Sequence, residues 1–190
     1  MAIESGSASS GVEADPIAVL IHAGRHREAI SECVRHHGAP VGRMCMALLG
    51  DQAEAEETLQ EAMLAAYQSM ATWRAEGSVR AWLYGIARRM CARRLAKRVR
   101  RERRLRLVHD AGTTAALPDA VVETRRRAAA LREALEELKP SDREALLLRY
   151  ESGLSFREIA AVCGIDEPAA RKRASRALVR LRTLLPQSEL

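Results

Sequence analysis

The densest set of groups able to hold a ligand lies near the C-terminus. Arg171, Lys172, Arg173, Ser175, Arg176 and Arg180 fall in one stretch that also carries Ala170, Ala174, Ala177, Leu178, Leu181 and Leu185. At about 100° per residue the apolar set shares one narrow arc, and Lys172, Ser175 and Arg176 fall opposite it, flanked by Arg171 and Arg173. Guanidinium groups in this pattern suit nucleic acid, because Arg can donate a bidentate pair to guanine O6 and N7, worth about 1–3 kcal/mol of discrimination. Arg171 and Arg176 are the candidates for that role, and Lys172 and Ser175 can serve bases or phosphates. Arg173 and Arg180, nearer the sides, suit backbone phosphates, and the small Ala169 permits close approach.

The elements that must position these side chains can be read from capping chemistry. Asp166 caps the cationic helix and Pro168 sits in its first turn, where a missing N–H costs little. Upstream, Ser155-x-x-Glu158 forms a capping box, and Leu154 with Ile159 has the spacing of a hydrophobic staple. Ser141-x-x-Glu144, after Pro140, reads as a second capping box. Ala160, Gly164 and Ala170 supply the small contact residue, the turn residue and the locking residue of a helix-turn-helix, with Ile159 and Ile165 adding core contacts. Repressors, activators and polymerase specificity subunits all use such a reader.

A second charged region lies in mid-chain. Between Arg88 and Arg106 there are eleven Lys or Arg residues against the single acid Glu102, a local +10 in a 190-residue chain of net charge +6, so the remainder is net acidic. Such asymmetry suggests a polyanion on one surface and a different partner on another. The composition, rich in Ala, Leu and Arg with one Phe, favours helices over strands, and an all-α protein is expected. Cys33, Cys45, Cys91 and Cys163 sit in apolar helical contexts with no C-x-x-C pair, as small buried hydrophobes of a reducing compartment. Cys33, His36, His37 and Cys45 match no common zinc spacing, so neither metal nor cofactor is expected. No apolar run approaches a membrane span and no signal-peptide pattern opens the chain, which predicts a cytoplasmic protein without membrane insertion.

Along the chain, residues 1–14 read as disordered, followed by helices over Ile17–His22 and Arg27–His37, a break at Gly38-Ala39-Pro40, and a further helix over Val41–Leu49 stopped by Gly50. Asp51 and Glu54 make a capping box for the next helix, whose core side is Ala55, Leu59, Ala62, Ala66 and Met70. Its other face is acidic and amide-rich and reads as solvated. After the loop 72–77, Ser78 caps a helix with Trp82, Leu83, Ile86, Ala87, Met90 and Cys91 inward. Arg94 and Lys97 fall where apolar residues are due, so its basic end should project beyond the packed body. Residues 107–118 read as a linker, and Asp119 restarts helix, with Val122, Ala128, Leu131, Leu135 and Leu138 as one seam. The expected architecture is two small helical domains, 15–106 and 119–187, joined by that linker, the second a helix-turn-helix.

Taken together, these motifs resemble bacterial sigma factors of the extracytoplasmic-function group, a two-domain type within the sigma-70 family. The resemblance runs from about Ile17 to Leu185 and rests on LLGDQAEAEETLQEAMLAAY (Leu48–Tyr67), GSVRAWLYGIARRM (Gly77–Met90) and LKPSDREALLLRYESGLSFREIA (Leu138–Ala160) with the helix-turn-helix that follows. It implies a subunit that binds core RNA polymerase and directs promoter-specific initiation. Glu57, Gln60, Glu61 and Leu64 would meet the polymerase clamp. Trp73, Arg74 and Ser78 would lie at the loop that captures an extruded base of the −10 element, and Arg80, Arg88, Arg89, Arg93 and Lys97 on the helix along that DNA. The C-terminal domain would read the −35 element, and an anti-sigma factor is a possible partner in this family. Arg89 stands where the family commonly has Asn, Arg93 where Asp is common, Thr58 replaces an aliphatic residue and Gly85 a larger one. The two Arg departures make the basic arm more adhesive to DNA and its binding more salt-sensitive.

Two other classes compete. A stand-alone helix-turn-helix repressor or activator shares the reader, but it needs no Gln60-Glu61 surface, and no dimerisation helix or ligand pocket is evident. An enzyme would need a paired acid and base, a metal motif or a phosphate loop, and none stands out.

Overall fold

The computed structural model describes residues 15–105 and 122–185. The expected disordered start at 1–14, the linker at 107–118 and the helix restart at Asp119 lie outside them. The described residues form eight α-helices and no strand: α1 Pro16–His22, α2 His26–Leu49, α3 Gln52–Ser69, α4 Val79–Leu105, α5 Val122–Glu136, α6 Pro140–Tyr150, α7 Phe156–Cys163 and α8 Glu167–Leu184. A single 3-10 turn, Met70–Thr72, extends α3. Among the described residues no helix is long and apolar enough to cross a membrane.

The first half is a bundle in which α2 packs on α3 and α4, and α3 on α4, with α1 against α2. Met44, Met70, Leu83 and Tyr84 are fully buried in it, each worth about 1.5–3 kcal/mol for leaving water. The sequence pattern breaks α2 at Gly38-Ala39-Pro40, yet the helix runs through to Leu49. Pro40 removes one backbone donor, but the bond lost is the one to His36, on the exposed side, while Cys33, Gly38, Val41, Met44 and Cys45 keep both halves anchored in the core. Thr58, an oddity among the apolar positions of α3, is fully buried and its hydroxyl donates to the Glu54 carbonyl at 2.6 Å. Its polar atom is thereby satisfied inside the helix.

In the second half α6 and α7 pack on α8, and α5 touches both α6 and α8. Leu135 and Leu138 are buried as the seam requires, whereas Leu131 is largely exposed. The side chains of Val122 and Ala128 lie outside the described set. The Ser155–Glu158 capping box forms with both reciprocal bonds. The Ser141–Glu144 box does not: α6 begins at Pro140 with Lys139 as an unassisted cap. Glu144 is instead engaged by Arg88 of α4.

The two halves share one apolar cluster. Leu154, Ile159 and Ala160 join the same buried set as Leu83, Tyr84 and Ala87, and α7 lies directly against α4.

Candidate DNA and polymerase interfaces

The helix-turn-helix has the geometry its sequence predicts. Gly164 ends α7 at φ 66°, a left-handed conformation that a Cβ would strain. Asp166 then accepts from the Ala169 N–H at 2.6 Å to start α8. Ala170, Ala174 and Ala177 are buried against the neighbouring helices, and Lys172, Ser175 and Arg180 are exposed. Arg171 is exposed too, but it is held: Nη2 donates to Glu167 at 2.9 Å and the guanidinium lies 4.6 Å from the Phe156 ring centroid. Arg149 lies 4.9 Å from the same ring, so Phe156 carries a cation on each of two neighbouring helices.

Arg176 departs from the expected free reader. Its guanidinium forks onto Asp142, at 2.8 and 3.2 Å, and Asp142 is a buried carboxylate at the start of α6. The hydrogen bond to Asp142 raises the Arg176 pKa above its usual value. Arg176 therefore ties α8 to α6 as well as facing outward. Arg173 is only partly exposed. The Cys163 thiol is pushed up to about 11 by burial and by Glu144. Ala169 is partly buried.

On α4 the cations divide into two sets. Arg94 bridges Glu57 and Glu61 of α3, each at 2.9 Å, and Arg98 bonds both Glu54 and the Leu49 carbonyl. As far as Arg98 the basic stretch lies along α3, and Arg94 and Arg98 fill the polar positions that break its apolar stripe; Val99, Arg100 and Arg101 beyond are exposed. Arg89, Arg93 and Lys97 form the other set. They recur at four-residue steps on one exposed ridge, and among the described residues nothing pairs with them. The signal for this division is present in the sequence as two matched rows, Glu54, Glu57 and Glu61 on one helix and Arg94 and Arg98 on another. Periodicity within either helix alone does not reveal it.

The α3 face assigned to polymerase thus contains acids already satisfied from within. Glu57 and Glu61 stay largely exposed beside Arg94, and Gln60 is open. Leu64 is 57% exposed and Tyr67 36%, one helical turn apart. They place two apolar side chains on an otherwise polar helix face.

The loop between the 3-10 turn and α4 bends through Ala75, at φ 56°, a strained setting for a residue with a side chain. Trp73 lies between His22 (5.4 Å between centroids) and Trp82 (6.0 Å), its ring tilted 38° and 45° to theirs, on a cleft of about 300 Å³ that includes Arg74, Gly85 and Arg89. Trp82 is half-buried, packed on the core rather than free to stack on a base. Three residues expected at the −10 surface are turned to the second half of the chain instead. Ser78 caps α4 through the Ala81 N–H and hydrogen-bonds Glu158. Arg80 approaches Glu158 at 4.0 Å, and Arg88 forks onto Glu144 at 2.6 and 3.0 Å while donating to the Val162 carbonyl.

Cys33, Cys45 and Cys91 are buried, and among the described residues no His, Cys, Asp or Glu cluster could hold a metal ion. Cys45 and Cys91 share a hydrogen bond in the core. That bond and burial hold the Cys91 thiol well above its usual range.

Comparison with known proteins gives this geometry its family. Residues 33–101 match the model for "Sigma-70 region 2" and residues 128–181 that for "Sigma-70, region 4". The chain is 33% identical over 165 residues to the RNA polymerase sigma factor CarQ of Myxococcus xanthus, covering 86% of this chain and 93% of CarQ. It is 31% identical over 160 residues to the ECF RNA polymerase sigma factor SigE of Mycolicibacterium smegmatis, covering 81% of this chain and 60% of SigE. Its fold is that of the sigma factor RpoE of Bartonella quintana, solved with the anti-sigma factor NepR, at TM-score 0.66 and 24% identity over 81% of this chain and 94% of that one. The chain belongs to the extracytoplasmic-function sigma factors of the sigma-70 family.

Proposed function

We propose that this sigma factor works through three separate surfaces, on two domains corresponding to residues 15–106 and 119–187. The open face of α3, with Gln60, Glu61, Glu57 and Leu64, docks on core RNA polymerase. The ridge Arg89, Arg93 and Lys97 follows the backbone of the −10 DNA. Trp73 and Arg74 flank the cleft that receives an extruded base, whose unstacking costs a few kcal/mol that pocketing and strand contacts offset. On α8, Arg171, Lys172, Ser175 and Arg180 enter the groove at the −35 element, with Arg171 fixed in plane by Phe156 and Glu167. Chemistry remains with the polymerase. The protein works in the cytoplasm, and an anti-sigma factor, such as the one solved with the Bartonella relative, is a candidate regulator.

One observation carries this reading over a stand-alone repressor. The exposed Leu64 and Tyr67 lie on an α3 face whose acids are tied to α4, on a different helix from the recognition helix, and a self-sufficient DNA reader has no use for such a surface. The test is binding to purified core polymerase by the wild type and by Gln60→Lys/Glu61→Lys. Loss of binding by a variant that keeps its helical circular dichroism spectrum at the assay temperature supports the assignment, and undiminished binding sinks it.

A further inference from the structure

The fork between Arg176 and Asp142 uses only one edge of the guanidinium. Nε donates to Oδ2 at 3.2 Å and Nη2 to Oδ1 at 2.8 Å, so the carboxylate closes the side edge of the plane. A guanidinium carries five N–H donors in a fixed plane, and its end edge, made by Nη1 and the second Nη2 hydrogen, takes no part in this fork. Exposure divides the pair in the same sense. The Asp142 side chain is 8% exposed and that of Arg176 51%.

Both ends of the pair are set by local structure. Asp142 lies in the first turn of α6, just after Pro140 at the helix start and before the buried residues Ala145, Leu146, Leu147 and Leu148. Its own N–H donates to the Lys139 carbonyl at 2.9 Å. On α8 the small side chains of Ala170, Ala174 and Ala177 are buried, and α6 packs on α8. The carboxylate is thus an anchor inside the domain. The cation it holds reaches solvent on the face of α8 that also exposes Lys172 and Ser175.

We propose that Asp142 is a positioning residue for a guanine of the −35 element, fixing the side edge of Arg176 so that its end edge is presented to O6 and N7 of that base. The inference rests on the proposed −35 assignment of α8. An Arg that is already held gives up less rotamer freedom on docking, so the gain falls on the one base that matches the fixed edge. The fork also keeps the guanidinium from swinging to a flanking phosphate, where it would add affinity without sequence information. A tie between α6 and α8 that did nothing more would act on all sequences alike.

The test uses the full chain assembled on core RNA polymerase. Selection from a pool of random duplexes gives the preferred sequence, and each position is then measured by competition between the selected duplex and single-pair replacements. The wild type prefers one guanine on the order of thirtyfold over its replacements, and Arg176→Ala abolishes that preference. Asp142→Asn, which keeps one acceptor but neither the charge nor the paired oxygens, lowers the preference about fivefold, while affinity for the replaced duplex changes by less than about twofold. Added to Arg176→Ala, Asp142→Asn alters that position no further. Positions read by other residues keep their preferences and report that the variants are folded. Should Asp142→Asn lose every preference, Arg176→Lys decides. Its ammonium still pairs with Asp142 but has no second planar edge, so the guanine preference collapses while the other positions and the helical circular dichroism spectrum are retained.

A guanine preference untouched by Asp142→Asn, one kept whole by Arg176→Lys, or an equal loss on selected and replaced duplexes overturns the proposal. Failure of the −35 assignment looks different: no position of the selected sequence responds to any α8 substitution, Arg171→Ala included.

Discussion

The division of the α4 cations into an open ridge and a tied row makes a quantitative prediction. Arg89, Arg93 and Lys97 span eight residue steps, about 12 Å of helix, and each is exposed with no partner among the described residues. Replacing all three with Ala removes up to three phosphate contacts, so the slope of log affinity against log salt should flatten by about 2.7 for duplex DNA, about 0.9 per contact. Over a fourfold rise in salt, from about 50 to about 200 mM, the wild type should then lose about 40-fold more affinity than the triple variant. Arg94→Ala/Arg98→Ala is the contrast, because those cations are spent on Glu57, Glu61, Glu54 and the Leu49 carbonyl. That variant should keep most of the salt slope and lose thermal stability. Anisotropy titrations of a labelled duplex at four salt concentrations, with melts of each variant, make the comparison. If the Arg94/Arg98 variant flattens the slope as much as the triple variant, the division is wrong.

Other consequences follow from the same geometry. Leu64 is 57% exposed, so covering its open half on polymerase is worth roughly 1 kcal/mol, and Leu64→Ala should weaken core binding about fivefold by equilibrium titration while leaving the melt unchanged. Arg171→Ala should relax base preference at one −35 position without loss of stability. Arg176→Ala should lower DNA affinity and also the melting midpoint, because it strands the buried Asp142 carboxylate. Burial acts to raise the pKa of Glu158, but hydrogen bonds from Ser78 and Ser155 and the nearby Arg80 hold it below its usual 4.5. Its contribution to the contact of α7 with the start of α4 is therefore fully present above that value and is lost as pH falls through the lowered one, so the melting midpoint should fall on acidification by more in the wild type than in Glu158→Gln.

The helix-turn-helix was legible in the sequence because its determinants are local. The Ser155–Glu158 box, the left-handed Gly164 and the Asp166 cap each act within a few residues, and all three form. Where chemistry depended on distant partners the sequence misled. Ser141-x-x-Glu144 has capping-box spacing, yet the Glu144 carboxylate serves Arg88, 56 residues away. Pro40 looked like a helix end, and tertiary packing of Cys33, Gly38, Val41, Met44 and Cys45 carried α2 through it. The basic stretch was legible as a concentration of positive charge from composition alone. Which of its members remain open is set by acids on α3, α6 and α7, and no single helix pattern encodes that.

The central claim, that the chain directs promoter-specific initiation, is tested most directly by transcription of genomic DNA with purified core RNA polymerase, with and without the protein, followed by mapping of RNA 5′ ends. The account predicts a discrete set of start sites that appears only with the protein, shares two upstream sequence elements at fixed spacing, and disappears with Gln60→Lys/Glu61→Lys. Transcripts whose start sites are unchanged by the protein, or that are only repressed by it, would contradict the account.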